Sequence, residues 1–326
     1  MSNYYVVTGA AGFIGSKIVE GLNAAGVSDI VAVDNLQHAD KVRNLAGLEI
    51  ADYLDQGEFL QRLESFGGAV EAVLHQGACS DTMESDGRYM MENNYRYSKL
   101  VLDWCQEEEV PLVYASSASV YGAGPDFREE RSCERPLNVY GYSKFLFDQL
   151  VRRTLAGRTA QIVGLRYFNV YGPNEAHKGR MASVAFHAYQ QLLASGRVQL
   201  FVGSGGYGDG EQRRDFVYVD DVVDVNLFFL EHRHASGIYN CGTGRAQTFN
   251  QLAAATINAV QGTRLTAKEL AERGLIEYVP FPEGLRDRYQ SYTQADLSRL
   301  RTVGYTGEFK SVEQGVAAYV SRLQQA

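Results

Sequence analysis

The feature that most constrains the fold is Gly9-Ala10-Ala11-Gly12-Phe13-Ile14-Gly15, set between a short apolar run, Tyr4 to Thr8, and a helical pattern from Ser16 to Ala25. Glycines in a strand-to-helix turn allow a sharp reversal. They bring backbone N–H groups close to a pyrophosphate and let strand and helix pack tightly. The G-x-x-G-x-x-G spacing is one residue wider than the usual dinucleotide fingerprint, and a purely structural turn is the alternative reading. The next apolar run, Ile30 to Asp34, ends in an acid placed where a ribose hydroxyl would be bound. Loop and acid together predict a dinucleotide-binding unit at residues Gly9, Gly12, Gly15 and Asp34. Asn35, Lys41 and Arg43 follow. A cation there either meets a 2′-phosphate or is a solvated surface charge.

Further short runs rich in β-branched residues lie at Val70 to His75, Val110 to Ala115 and Gln161 to Arg166. Amphipathic stretches separate them, at Gln56 to Phe66, Asp86 to Glu108 and Tyr140 to Leu155. Buried-type strands alternating with helices predict an α/β fold: a Rossmann-like, doubly wound parallel sheet. Gly203 to Gln212, with five glycines in ten residues, reads as a mobile loop. After it the chain alternates again, with Phe216 to Val219, a helix to Leu230, and Gly237 to Cys241. It ends helically around Thr248 to Val260, Gln294 to Arg301 and Val312 to Leu323. A smaller, discontinuous α/β substrate domain is therefore expected. The expected division gives 1–168, 215–245 and 290–302 to the NADP-binding domain, and 169–214, 246–289 and 303–326 to the substrate domain.

A net charge of −8 over 326 residues argues against a nucleic-acid partner. No apolar run reaches the ~20 residues of a membrane span, and the N-terminus lacks a basic leader, so no membrane partner is expected. Cys79, Cys105, Cys133 and Cys241 are scattered, which fits reduced thiols in a cytoplasm. The histidines show no ligand spacing, and no catalytic metal is expected.

Asn138 to Lys144 reads N-V-Y-G-Y-S-K, with Tyr140 and Lys144 on one face of a helix. A tyrosine ionises near pH ~10, and a fixed ammonium nearby favours the phenolate. Tyr140 is thus expected to act as a proton acceptor with a lowered pKa, and Lys144 also suits a ribose hydroxyl. The alternative for the pair alone is a solvated surface contact.

With these parts located, the chain resembles the extended short-chain dehydrogenase/reductase family, the nucleotide-sugar epimerases and dehydratases. The marks are V-T-G-A-A-G-F-I-G (Val7 to Gly15), H-Q-G-A-C-S (His75 to Ser80), A-S-S-A-S-V-Y-G (Ala115 to Gly122), Y-G-Y-S-K and R-Y-F-N-V-Y-G-P (Arg166 to Pro173). In four more segments, His177 to His187, Pro136 to Asp148, Arg213 to Val222 and Arg288 to Leu297, it resembles the branch that inverts C6″ of an ADP-heptose. The resemblance runs nearly end to end.

It implies bound NADP, with NAD as the runner-up, and a homopentamer. Phe13, Ile14, Asp34, Asn35, Lys41, Gln76, Gly77, Ala78, Cys79, Ser80 and Asn93 would contact the cofactor. Ser117 would bond the reacting oxygen, Tyr140 and Lys144 would be the base and its partner, and Lys178 a second base. Asn169, Val170, Arg180, His187, Phe201, Val202, Gly203, Ser204, Arg214 and Tyr289 would line the substrate or cofactor site. Three departures stand out: Arg180 replaces a frequent serine, Gln76 a more usual glutamate, and the Gly203 to Gln212 loop is long.

Chemically, hydride removal from a secondary alcohol needs a base at its hydroxyl and an acceptor carbon close by. Return of the hydride to the other face inverts the centre, and a second acid/base then has a use. Burial lowers a lysine pKa toward the working range, which suits Lys178. The bland alternatives are a surface or phosphate contact for Lys178, a cap or turn for Ser117, and core packing for His187. His75 reads best as a satisfied core histidine. A 4,6-dehydratase would carry Asp-Glu where Ala118-Ser119 stands. A UDP-hexose 4-epimerase and a non-catalytic dinucleotide-binding protein are the competing functions.

Overall fold

The structure, a computed structural model, describes residues 3–282 and 290–325. The apolar run of β1 (Tyr4–Thr8) lacks polar alternation because β1 lies inside a sheet covered on both faces, where Val6 and Val7 are fully buried. Its parallel neighbours are β2 (Ile30–Asp34) and β4 (Val70–His75), and the glycine turn leads from β1 into α1 (Phe13–Ala24). The remaining elements of this layer are β3 (Asp52–Asp55), α2 (Gln56–Phe66), β5 (Leu112–Ser117), α5 (Val139–Thr154) and β6 (Ile162–Tyr167). Between β4 and β5 run α3 (Gly87–Met90), a π-helical segment (Met91–Arg96) and α4 (Tyr97–Glu107). The sheet order is β10-β6-β5-β4-β1-β2-β3, with every pair parallel. The strand order reverses between β1 and β4, the switch point outside which such sheets bind ligands.

The later elements are β7 (Asn169–Tyr171), α6 (Val184–Ser195), β8 (Val198–Phe201), β9 (Arg213–Tyr218), α7 (Val219–Glu231), β10 (Gly237–Cys241), β11 (Ala246–Thr248), α8 (Phe249–Gln261), α9 (Ala267–Glu272), β12 (Ile276–Val279), α10 (Ser298–Thr302) and α11 (Val312–Leu323). Two compact units result. The first comprises Met1–Tyr167, Val222–Cys241 and Ser298–Thr306, and the second the three intervening and terminal stretches. The first has a core of Val6, Val31, Phe59, Val73, Leu112, Phe147 and Ile162. The second has its own core around Tyr171, Tyr189, Phe216, Leu252 and Val316, with a three-stranded sheet β11-β9-β7 and the pair β12-β8.

The division departs from the expected one in two respects, each with a local cause. Residues 215–221, 242–245 and 290–297 lie in the second unit because β9 pairs with β7 and β11. There the buried Asp215 carboxylate accepts from the N–H groups of Thr243, Gly244 and Ala295. Those bonds also hold Ala295 out of helix, so the helix expected from Gln294 begins only at Ser298. Residues 303–306 belong to the first unit, where the Tyr305 ring packs edge-on against Phe228, centroids 5.3 Å apart.

The Gly203 to Gln212 stretch, expected to be mobile, is folded on itself. Gly203 N–H donates to Asp209 at 2.7 Å, Gln212 Nε2 to the Val202 carbonyl at 2.9 Å, and Asn250 Nδ2 to the Asp209 carbonyl at 2.9 Å. Its glycines serve geometry: Gly205, Gly206 and Gly210 have φ of 61°, 84° and 66°.

Candidate active site

The glycine loop closes as its spacing requires. Gly9 has φ of 66°, and a Cβ on Gly15 would stand 2.0 Å from the Gly9 carbonyl oxygen. A Cβ on Gly9 would stand 2.7 Å from the backbone nitrogen of Gly77, so the segments leaving β1 and β4 meet backbone to backbone at the switch point. α1 opens with Gly12 as its cap, a residue with no side chain to bond the first-turn N–H groups, and with no acid in that turn. A helix N-terminus so built suits an anion such as the pyrophosphate of a dinucleotide. Phe13 and Ile14 occupy that first turn.

Asp34 ends β2, nearly buried, and accepts from Ala11 N–H at 3.0 Å and Asn35 N–H at 2.7 Å. Lys41 forms an ion pair with the same carboxylate and reaches Asn35 Oδ1 at 3.4 Å. The other cation, Arg43, is 83% exposed and lies 3.8 Å from Asp40. Of the two basic residues, the structure therefore brings Lys41 to the acid and leaves Arg43 at the surface. Asn44, which the sequence did not mark, donates to the Ala11 carbonyl at 2.9 Å, and Tyr53 to the Asp34 carbonyl at 2.8 Å.

Gln76 to Ser80 leave the end of β4. Thr8 Oγ1 takes the Gly77 N–H at 3.1 Å and lies 2.6 Å from His75 Nδ1, while His75 Nε2 lies 2.8 Å from Ser98 Oγ. Burial drives the His75 pKa down to about 3, so it is a neutral, satisfied core histidine, as read. Gln76 accepts from the Tyr167 hydroxyl at 2.9 Å. Asn226 donates to that hydroxyl at 3.0 Å. An amide at 76 thus sits in a neutral network. Asn94, buried in the π-helical segment beside Asn93, brackets Cys79 by accepting its N–H at 2.8 Å and donating to its carbonyl at 2.9 Å. A single buried Asn in a helical pattern carries no sequence signal for that role.

Strand β5 extends two residues beyond the apolar run and delivers Ser117 at its end. Ser117 caps the following turn, accepting Ser119 N–H at 3.1 Å, and its side chain pulls the pKa of the Tyr140 phenol down. The cap reading of Ser117 therefore holds. Asn138 caps α5 by accepting Gly141 N–H at 2.8 Å, which starts the helix at Val139 and puts Tyr140 in its first turn. Lys144, one turn on, donates from Nζ to the Ala115 carbonyl at 2.8 Å. The expectation of a lowered phenol pKa is corrected here: burial pushes Tyr140 up, and the group that pulls it back is Ser117. Burial also brings the Lys144 ammonium down to about 8, against the upward pull of Asp148.

The other expected residues belong to the second unit. Lys178 lies in a short 3-10 segment, Ala176–Met181, whose preceding residue Glu175 is fully buried and accepts from Gly172 N–H at 3.2 Å and Ser183 Oγ at 2.7 Å. Burial lowers the Lys178 pKa, with Glu175 opposing. Asn169 and Val170 form β7, His187 lies on α6, Phe201 ends β8, and Ser204 and Arg214 are buried. Gln212 Nε2 donates to Ser204 Oγ at 3.1 Å, and the Arg214 guanidinium lies over the Phe249 ring at 5.6 Å. Arg180 is exposed. Tyr289 lies outside the described residues. Among the described residues, no group of His, Cys, Asp and Glu could hold a metal ion, and no helix is long and apolar enough to cross a membrane.

A doubly wound sheet with a glycine cradle at its switch point is the architecture of a dinucleotide-binding enzyme, and here Ser117 ends β5 while Tyr140 and Lys144 stand on α5. A sequence profile of the NAD dependent epimerase/dehydratase family matches residues 5–242, and the chain belongs to that family. It is 61% identical over 332 aligned residues to the ADP-L-glycero-D-manno-heptose-6-epimerase of Thiobacillus denitrificans, covering all of both chains. The crystal structure of the Helicobacter pylori enzyme of the same name is similar at 28% identity and TM-score 0.83, covering 100% of this chain and 97% of that one. The UDP-glucose 4-epimerase of Thermus thermophilus, solved with NAD, is similar at 26% identity and TM-score 0.77, over 99% of each chain.

Proposed function

We propose that this chain inverts C6″ of ADP-D-glycero-D-manno-heptose to give ADP-L-glycero-D-manno-heptose, supplying heptose for the lipopolysaccharide core. The observation that carries this reading is the 61% identity along the whole of an enzyme of that name. A nicotinamide dinucleotide bound here would supply a reversible hydride acceptor for C6″. Gly9, Gly12 and Gly15 would hold its pyrophosphate, and Asp34, Asn35 and Lys41 its adenosine ribose. We assign NADP because Lys41 lies at the acid that ends β2, where a 2′-phosphate would meet it.

Ser117 holds the reacting oxygen, and Tyr140 takes or gives its proton. Lys144 keeps a positive charge on the same helix face, where it would bond the hydroxyls of the nicotinamide ribose. Tyr140 serves one epimer and Lys178 the other, since one fixed phenol is unsuited to a hydroxyl presented in two orientations. The lowered pKa of Lys178 supports this role. Cytoplasmic residence and a homopentameric assembly follow from the same resemblance. Incubation with ADP-D-glycero-D-manno-heptose, with UDP-glucose as the control, tests the assignment by NMR of the products. Epimerisation of the ADP-heptose alone is expected, and activity confined to UDP-glucose would overturn it.

A further inference from the structure

Two residues of α5, four apart, are bonded to three consecutive residues of β5. Lys144 donates to the Ala115 carbonyl, and Asp148 accepts from Tyr114 OH at 2.9 Å and Ser116 Oγ at 3.0 Å. Asp148 is fully buried, and Arg166 of β6 donates to it from Nε at 2.9 Å and Nη2 at 2.8 Å. Arg166 also pairs with the buried Glu134, which Arg152 holds from its other side at 2.8 Å. Buried ion networks of this kind give little net stability compared with well-packed apolar residues, so a purely structural purpose explains Asp148 poorly. Its placement explains it better, because it grips the strand on both sides of the one carbonyl that seats Lys144.

We propose that Asp148 is a positioning residue for the reaction: by holding Tyr114 and Ser116 it fixes the Ala115 carbonyl under Lys144, and its charge keeps that ammonium cationic. This rests on the reading of Ser117, Tyr140 and Lys144 as the reacting set. The groups facing Lys144 are His75 on β4, neutral and buried, the Cys79 thiol after β4, Tyr140 on its own helix, and Asp148. Beyond Asp148 lie Arg166 and Glu134, engaged with each other. Of the influences that hold the Lys144 pKa up against burial, Asp148 is the largest.

The test is Asp148→Asn in the full chain. The Lys144 titration is followed by NMR of 13Cε-lysine-labelled protein, and kcat and KM for the ADP-heptose are measured across pH. Lys144, which burial brings down to about 8 with Asp148 opposing, should move down by about one pH unit or more once the neighbouring charge is gone. The alkaline loss of kcat should move with it, because the ammonium is the active form and is lost as pH rises through its pKa. At neutral pH kcat should fall about 10–100-fold through misplacement of the reacting groups, with little change in KM. Asp148→Glu should restore the titration. An unmoved Lys144 titration, or an unchanged kcat, overturns the proposal. If Asp148→Asn does not fold, Tyr114→Phe combined with Ser116→Ala keeps the Asp148–Arg166 pair and should still lower kcat about tenfold. A wild-type kcat in that variant overturns the proposal. A wild-type chain inactive on ADP-heptose sinks the functional reading instead, and the Lys144 titration still decides the role of Asp148.

Discussion

Ser117, the last residue of β5, lowers the pKa of the phenol of Tyr140 in the first turn of α5. Burial pushes that phenol above its ordinary range, and the serine is what opposes it. Removing the hydroxyl should therefore raise the phenol further. Ser117→Ala is expected to lower kcat and to move the acidic limb of the kcat profile to higher pH, since Tyr140 must lose its proton to act as base. A limb that stays in place would separate Ser117 from the acid–base chemistry.

Tyr140→Phe should retain the circular dichroism and the bound cofactor of the wild type and lose about 10²–10⁴-fold in epimerisation, the usual contribution of a general acid–base group. Activity within tenfold of wild type would remove Tyr140 from the mechanism.

Lys41 is ion-paired with Asp34 and 13% exposed. Lys41→Ala should weaken NADP binding more than NAD binding, measured by titration of the cofactor-free protein. Equal weakening of the two would mean that Lys41 does not meet the 2′-phosphate.

Lys178→Met should leave the fold and bound cofactor intact and block net epimerisation. Single-turnover reduction of bound NADP⁺ by each pure epimer should be impaired for one epimer by this change and for the other by Tyr140→Phe. The same epimer preference in both variants would leave Tyr140 serving both faces.

His75 supplies a stability signature. Its folded pKa is near 3 and its ordinary value 6.5. Between those limits the unfolded chain takes up a proton that the folded chain refuses, so stability is present above about pH 6.5 and is lost as pH falls toward 3. The slope from this residue is about 1.4 kcal/mol per pH unit in that window. His75→Gln, followed by urea unfolding, should be less stable at pH 7 and show a shallower loss between pH 6 and 4. An unchanged slope would show that other groups set the acid sensitivity.

The first unit was legible because its strands are continuous apolar runs and its turn chemistry is local, so the glycine loop, Asp34 and the Tyr140–Lys144 spacing all stand where the residues placed them. β3 was missed because, at the sheet edge, only Leu54 of its four residues is buried and no apolar run marks it. The second unit was harder for a related reason. Its strands β7 and β11 are three residues long, and Asp215 collects N–H groups from segments 28 and 80 residues further along the chain. The phenol's pKa was misread because the helical spacing shows Lys144 but hides the burial. Asp148 escaped notice since its partners Tyr114, Ser116 and Arg166 come from two strands.

The most direct test of the central claim is epimerisation of ADP-D-glycero-D-manno-heptose in D2O, read by proton NMR at C6″. The account predicts conversion to the L-glycero epimer with the C6″ proton retained, because the hydride removed is the one returned. No conversion, or an epimer carrying deuterium at C6″, would contradict it.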